Sequence, residues 1–231
     1  MLRLACFVVL VLLLRSVLGL VPGVGEFLDR AGIFGIWALA FGLSWFLSRW
    51  MERALLVRRD AAKMRVLGAV PSPHNQGKVG AMLLAHGKPK KALEPLRAAC
   101  AGEPDVAEWH YRLGLAFLAL RRHEDAASAL ERCTAIEEEY AYGAALLRLA
   151  QAEVARGETE RALAVLERFE KNHGPNPESA YRRGRVLRKL GRAAEARRAF
   201  AEVKGLAASA AKYQRREAAM WSLRATLARL V

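Results

Sequence analysis

Residues 109–133 read WHYRLGLAFLALRRHEDAASALERC, and they decide the fold because their small residues recur along the chain. Gly80 and Gly114 are separated by a spacing of 34, and so are Ala92 and Ala126. Further pairs with the same spacing are Leu96 and Leu130, Ala99 and Cys133, Gly157 and Gly191, and Ala162 and Ala196. Repetition at this period predicts a stack of similar units between residues 74 and 203.

The residue types predict that each unit consists of two packed helices. Small residues favour a close crossing, because a side chain larger than Ala would push two helix backbones apart. The small residues of the first helices are Gly80, Gly114, Ala150 and Gly184. Large apolar residues at helical spacing fill the shared core: Leu83, Phe117, Leu187, Leu96, Leu130, Leu166 and Phe200. Glycines between the helices, such as Gly87 and Gly157, suit the left-handed end of a helix.

Two features interrupt this pattern. The step from Ala126 to Ala162 is longer than the other steps by two, which predicts a two-residue insertion within residues 137–142. Pro95 falls inside the second helix of the first unit. Because proline lacks a backbone N–H, we expect it to remove one hydrogen bond there and to bend the helix.

These residues resemble the tetratricopeptide repeat (TPR) family, whose unit has a Leu-Gly pair in the first helix, a turn Gly, then Ala, a large apolar residue, Ala and a closing Pro. The matching residues of the second unit are Leu113, Gly114, Phe117, Ala126 and Leu130, and Pro104 closes the first unit. Arg121 departs from the pattern at the turn Gly of the second unit, and Glu138 departs at its closing Pro. The resemblance implies an all-α, TPR-like solenoid of about four helix–turn–helix units over residues 73–231. It also implies recognition of a protein or peptide in the concave groove that the first helices form.

The C-terminal segment predicts a capping helix. Apolar residues recur there at steps of three and four beside Trp221: Met220, Leu223, Leu227 and Leu230. The last unit of a repeat array exposes an apolar face unless another helix covers it. The alternative is a helix that docks a partner or forms a dimer.

Two apolar stretches predict a transmembrane helical hairpin in residues 1–48. Residues 31–48 carry no charge, and a helix of 18 residues spans about 27 Å, close to the roughly 30 Å hydrocarbon core of a bilayer. Residues 4–21 carry only Arg15. A cleaved signal peptide over residues 1–19 is the alternative for this first stretch.

Residues 49–72 predict a basic juxtamembrane stem and a proline linker. The basic residues after the second apolar stretch are Arg49, Arg53, Arg58, Arg59, Lys63 and Arg65. By the positive-inside rule these residues stay in the cytoplasm, and they can rest on anionic lipid. Pro71 and Pro73 then end the helix. We therefore expect an inner (plasma) membrane protein with a cytoplasmic repeat domain.

The positive charge is concentrated at the C-terminal end. The formal net charge is +14, and residues 174–231 hold 14 Lys and Arg against 4 Asp and Glu. Such a bias suggests an acidic partner or surface. An Arg-rich composition without any ligand is the alternative. Nucleic acid is less favoured, because base-stacking aromatic residues are sparse in this region.

The sequence predicts no enzyme, no cofactor and no metal site. The five histidines are scattered, and no pair of them has metal-ligand spacing with a supporting Cys or carboxylate. Neither a GxSxG nor an HExxH pattern occurs. The three cysteines show no disulfide framework.

The TPR register assigns a partner-binding groove to the first helices. Its predicted residues are Tyr111 and Leu115 in the second unit, Leu147 and Gln151 in the third, and Tyr181, Arg185, Arg188 and Lys189 in the fourth. The basic residues of the fourth unit lie three and four positions apart, so they share one side of the helix. A groove that changes from apolar to basic suits a peptide with apolar anchors and an acidic or carboxylate end.

A second hypothesis places the function in the hairpin, as a subunit of a membrane complex. Gly32, Gly35 and Gly42 permit close approach of other membrane helices. Two membrane helices followed by repeats are similar in layout to bacterial membrane TPR proteins of envelope assembly. This likeness is architectural and does not identify a partner.

Overall fold

The computed structural model describes the backbone of residues 24–230 and the side chains of residues 41–52 and 59–229. The chain divides into two compact units, Met1–Arg65 and Val66–Val231. The first predicted apolar stretch, residues 4–21, lies outside the described residues.

Helix α1 (Val24–Ala69) is 46 residues long. It contains both the predicted membrane helix, residues 31–48, and most of the predicted stem in one uninterrupted helix. It ends just before Pro71 and Pro73, at the linker that the sequence predicts. Within the described residues, no helix is both long and apolar enough to cross a membrane. The transmembrane hairpin therefore stays a prediction.

Nine further helices follow α1 in the described chain, and none of the described residues is in a strand. They are α2 (Pro73–Ala85), α3 (Pro89–Gly102), α4 (Ala107–Ala119), α5 (His123–Ile136), α6 (Tyr140–Arg156), α7 (Thr159–His173), α8 (Pro177–Lys189), α9 (Ala193–Ala208) and α10 (Arg215–Leu230). The helices pack as four pairs, from α2 with α3 to α8 with α9, and each pair packs against the next. The all-α, TPR-like solenoid is thereby confirmed.

The crossing within a pair depends on a small residue in its first helix. A Cβ atom at Gly114 would lie 2.6 Å from Cγ of Leu130, closer than two carbon atoms pack. The corresponding distances are 2.5 Å for Gly80 with Leu96 and 2.6 Å for Gly184 with Phe200. In the third pair the position is held by Ala150, which is buried. The predicted reason for these small residues is confirmed.

Two large hydrophobic clusters form most of the core of the repeat array. The first joins the early pairs through residues such as Leu96, Phe117, Leu130 and Leu149. The second joins the later pairs to α10 and includes Leu146, Leu166, Phe169, Val186, Phe200 and Val203. Helix α3 continues through Pro95 from Pro89 to Gly102.

A left-handed turn lies at the start of α6, next to the predicted insertion. Ala141, Tyr142 and Gly143 have φ angles of 52°, 56° and 74°. Gly143 is buried, and a Cβ atom there would lie 2.6 Å from the ring of His173. Tyr142 is 91% exposed. The regular part of α6 begins only after this turn.

Helix α10 caps the array, as the sequence predicts, and it packs against both α8 and α9. Ala218 and Ala225 are buried in this contact, and the Trp221 ring lies 5.4 Å from the Tyr181 ring. An Arg188 Nη1–H donates a 3.0 Å hydrogen bond to the backbone oxygen of Ala228.

The apolar stripe that predicted the cap does not form the contact. Met220, Leu223 and Leu227 are 54%, 62% and 56% exposed. The buried side is narrow and consists of alanines with one tryptophan. Large residues on α8 and α9 already fill the space, so only small side chains and one flat ring fit between the helices. The expectation that the Met and Leu side chains cover the array is thus corrected.

We predict that Trp221→Ala destabilises the array while Leu223→Ala does not. Removing the Trp221 ring leaves a cavity beside Tyr181 and should lower the free energy of unfolding by about 2–3 kcal/mol. Leu223→Ala removes an exposed side chain and should change it by less than about 0.5 kcal/mol. Urea denaturation followed by circular dichroism measures both values. Equal losses for the two variants would contradict the packing of α10 described above.

Candidate functional site

Three arginines occupy equivalent positions on successive first helices. Arg112, Arg148 and Arg182 lie on α4, α6 and α8, one repeat apart from each other. Neighbouring side chains one helical turn away, Leu115, Gln151 and Arg185, extend the same side of each helix. We call the surface that these six residues share the first-helix face.

Glu178 and Arg182 form the central ion pair of this face. Arg182 Nη2 lies 2.7 Å from Glu178 Oε1, and Arg182 Nε donates to the same oxygen at 2.8 Å. The two residues are one turn apart on α8. Their side chains are only 18% and 12% exposed. The pair is therefore largely withdrawn from water.

Helix α6 contributes two more polar side chains to the same network. Arg148 Nη1 lies 3.5 Å from Glu178 Oε1 and donates to Gln151 Oε1 at 3.2 Å. Arg182 Nη2 also donates to Gln151 Oε1, at 3.3 Å. One carboxylate and one amide oxygen thus hold two guanidinium groups from adjacent repeats.

Burial lowers the pKa of Arg182, and the charges of Arg148 and Arg185 act in the same direction. The Glu178 carboxylate opposes this effect and raises the pKa. Because a guanidinium stays protonated at any ordinary pH, the lowered pKa means that the charge is costly to bury. The negative charge of Glu178 compensates part of this cost.

A small cavity of about 80 Å³ opens between α6 and α8. Its lining residues are Ala150, Gln151, Val154, Leu166, Arg182, Arg185 and Val186. Apolar side chains therefore form most of its wall, with Gln151 and two arginines as its polar part. Arg185 is exposed and forms no ion pair with any described residue.

A second cavity, of about 170 Å³, lies between the start of α8 and helix α10. It is lined by Asn176, Pro177, Glu178, Ala210, Gln214, Glu217, Ala218 and Trp221. The Trp221 Nε1–H is buried and has no acceptor among the described residues. Arg182 separates the two cavities, because its guanidinium reaches Gln151 and also lies 5.8 Å from the centre of the Trp221 ring.

Three of the predicted groove residues belong wholly or partly to the core. Leu147 is 7% exposed, so a partner can contact little of it. The Tyr181 ring packs between those of Phe200 and Trp221, at 5.9 Å and 5.4 Å. The Tyr111 ring is half-buried against that of Tyr140, at 5.2 Å.

The predicted polar groove residues separate into two groups. Gln151 and Arg185 meet at the first cavity, as the register predicts for adjacent first helices. Arg188 instead holds the end of α10, and its guanidinium lies 5.8 Å from the centre of the Phe200 ring. Lys189 is exposed at the end of α8, and Leu115 is half-buried on α4. The assignment of these residues to partner binding stays a prediction.

Sequence reasoning missed four residues of the site: Arg148, Glu178, Arg182 and Trp221. The repeat register contained a signal for the arginines, since one repeat period separates Arg148 from Arg182. A signal for Glu178 existed in the second unit, where Glu108 holds the equivalent position and pairs with Arg112, although Ala144 interrupts it in the third unit. Trp221 could be placed only once the rotation of α10 was known.

The arrangement offers recognition chemistry. Exposed Arg185 can bind a carboxylate, and the two cavities can accept apolar side chains. In the described part of the chain, no three His, Cys, Asp or Glu side chains cluster closely enough to hold a metal ion.

Comparison with known proteins agrees with this architecture. A family model described as "Tetratricopeptide repeat" matches residues 83–143 and 147–211, together more than half of the chain. The chain belongs to the tetratricopeptide repeat family. The first matched segment ends at Gly143, the last residue of the left-handed turn, and the second begins at Leu147. A comparison with curated protein sequences finds no match.

Several solved structures share the TPR fold. A crystal structure of MamA is 26% identical, with a TM-score of 0.56, covering 61% of this chain and 81% of its own. TTC0263, a thermophilic TPR protein of Thermus thermophilus, is 22% identical, with a TM-score of 0.57. The match covers 78% of this chain and 95% of TTC0263. MamA from Desulfovibrio magneticus RS-1 is 18% identical, with a TM-score of 0.60, and the match covers 71% of this chain and 94% of that MamA chain. The last two likenesses show the fold alone.

We predict that Glu178→Gln destabilises the TPR array. The substitution leaves the buried Arg182 guanidinium without its counter-charge and should lower the free energy of unfolding by about 2 kcal/mol. Glu195→Gln is the matched control, because Glu195 and its partner Arg192 are both about half exposed. Such a surface pair contributes less than about 0.5 kcal/mol. Urea titrations of both variants test this difference, and similar losses would contradict the role given to Glu178.

Proposed function

We propose that this TPR protein is a membrane-anchored scaffold whose first-helix face binds a peptide or protein segment. The preferred segment has apolar anchors and an acidic or carboxylate end. Arg185 is the observation that carries this proposal, since it is an exposed cation beside an apolar cavity and has no ion-pair partner in the described chain.

The fixed neighbours of Arg185 support specific recognition. Arg182, Arg148 and Gln151 hold one another through Glu178 and are ordered before any partner arrives. Because these side chains are already ordered, binding loses little side-chain entropy, and this favours affinity. A guanidinium with a free edge can grip both oxygens of a carboxylate.

The cavity beside Trp221 supports a second anchor point. Its volume of about 170 Å³ accommodates one apolar side chain. The Trp221 ring forms part of the cavity wall and offers an apolar contact to such a side chain. A peptide that crosses α8 would then meet both cavities, with the Glu178–Arg182 pair between them.

We predict that Arg185→Glu weakens peptide binding about tenfold or more, because it places a negative charge opposite the partner's carboxylate. The probe is a fluorescent peptide with apolar residues followed by an acidic C-terminal end, measured by anisotropy. Arg197→Glu is the control, since Arg197 is exposed on the second helix α9. Arg188 is left unchanged because it holds α10.

Added salt should also weaken binding of the wild-type chain. If binding survives both Arg185→Glu and high salt, the partner contacts another surface, either the hairpin or the second helices. In that case the first-helix face is not the binding site.

Membrane anchoring is the second part of the proposal. Large apolar side chains on α1 are exposed in the described chain, among them Phe41, Trp45, Phe46 and Trp50, each at 59–67%. Trp45 and Trp50 lie at the end of the uncharged residues 31–48 and just beyond it, where amphipathic rings favour a membrane interface. We propose an inner-membrane location, a cytoplasmic TPR domain and a role in assembling an envelope or membrane complex.

We predict the topology from the basic residues that follow residue 48. A phosphatase reporter that works only outside the cytoplasm should be inactive when fused after Val231, because the basic residues keep that side in the cytoplasm. The same reporter inserted near Gly25 should be active. The opposite pattern would indicate an exported TPR domain and contradict the proposed orientation.

A further inference from the structure

The outer side of α10 is an apolar stripe that no described residue covers. Met220, Leu223 and Leu227 follow at steps of three and four, so they form one line along the helix. Tyr213, in the loop just before α10, is 84% exposed. The opposite side of the helix, with Ala218 and Ala225, already makes the contact with the array. The exposed stripe is therefore not needed for packing.

Exposed basic residues lie on α10 and in the loop before it, and helical spacing places Arg216 and Arg224 next to the stripe. Those exposed on α10 and the preceding loop are Lys212, Arg215, Arg216, Arg224 and Arg229. Glu217 is the single acidic residue between positions 203 and 231. None of the five basic residues forms an ion pair with a described residue, and the Arg224 guanidinium lies 4.7 Å from the centre of the Trp221 ring. The outer face of α10, defined by the stripe and these residues, is both apolar and strongly positive.

A second copy of the chain is a poor occupant of this face. Two such faces would bring five basic residues against five others, with only Glu217 on each side to compensate. The contact area also argues against a protein partner. Three aliphatic side chains on one helix and a nearby Tyr bury far less than the roughly 1,200 Å² of a stable protein interface.

A lipid surface meets both requirements. It needs no pocket or complementary shape, because an amphipathic helix places its apolar side chains at the boundary between headgroups and acyl chains. Clustered Lys and Arg residues are attracted to anionic headgroups. Arg side chains also bind phosphate oxygens in pairs.

We infer that the outer face of α10 binds an anionic membrane surface. Met220, Leu223, Leu227 and Tyr213 enter the headgroup boundary, and the flanking arginines contact lipid phosphates. This contact is separate from the N-terminal hairpin and from the first-helix face. It lies on the side of α10 that faces away from the array.

Flotation with added vesicles tests this inference on the full chain. The chain is held in nanodiscs of phosphatidylcholine, so the hairpin is already occupied, and is mixed with vesicles of phosphatidylglycerol or of phosphatidylcholine. We expect it to float with phosphatidylglycerol vesicles and to remain behind with phosphatidylcholine vesicles. Salt should reduce flotation.

Two pairs of substitutions test the apolar and the electrostatic contributions to vesicle binding separately. The double substitution Leu223→Gln and Leu227→Gln should reduce vesicle affinity about tenfold by removing apolar contact. Arg215→Gln with Arg216→Gln should reduce it by a similar factor by removing charge. Tyr142→Gln is the control, because Tyr142 is 91% exposed but lies at the start of α6. Thermal melts should be unchanged in every variant, since all these side chains are exposed.

Equal flotation of the wild-type chain and the Leu223, Leu227 variant would overturn the inference. So would a concentration-dependent dimer that this variant abolishes, without any flotation of the wild-type chain. That second outcome would make the outer face of α10 a contact between copies.

Discussion

The close crossing of two helices at a glycine is the constraint on which the repeat array depends. A Cβ atom at Gly114 would collide with Leu130, and equivalent contacts recur at Gly80 and Gly184. Because this crossing fixes how each first helix is rotated, residues at equal offsets from the glycine point to the same face. Arg148 and Arg182 reach the same amide oxygen from adjacent repeats for this reason. The candidate site is thus a consequence of how the core packs.

Sequence reasoning recovers the packing pattern of the repeats, but it misses several polar residues of the site and the orientation of the last helix. The spacing of 34 predicts the four pairs, their small residues and the meeting of Gln151 with Arg185. It cannot predict the rotation of α10, since two sides of that helix carry apolar residues and only packing shows that the Ala218 side fits. Arg121 shows another limit. It adopts a φ of 59° where the family has Gly, and the surrounding turn holds it there at a cost of about 1 kcal/mol or more.

The basic residues of the C-terminal region fall into two groups: some stabilise the array, and others are available for recognition. Arg182 and Arg183 are paired with carboxylates and partly buried, so they contribute to the structure of the array. Arg185 is exposed at a cavity without a counter-charge, and the arginines of α10 lie beside an exposed apolar stripe. The net charge of +14 therefore overstates the positive charge that is available to attract a partner, because part of it is already paired within the array. Position within the repeat, rather than total charge, separates structural arginines from those available for recognition.

The left-handed turn at the start of α6 keeps a change in chain length local. Two extra residues in a continuous helix would rotate everything that follows by about 200°, because each residue turns the helix by about 100°. Here Ala141, Tyr142 and Gly143 reverse the handedness of the backbone, and the pairing of α6 with α7 resumes unchanged. Unequal repeat lengths therefore do not change how the following helices are rotated and paired. The same turn, with Tyr142 at its surface, is a natural place to insert a tag or a fluorophore without disturbing its neighbours.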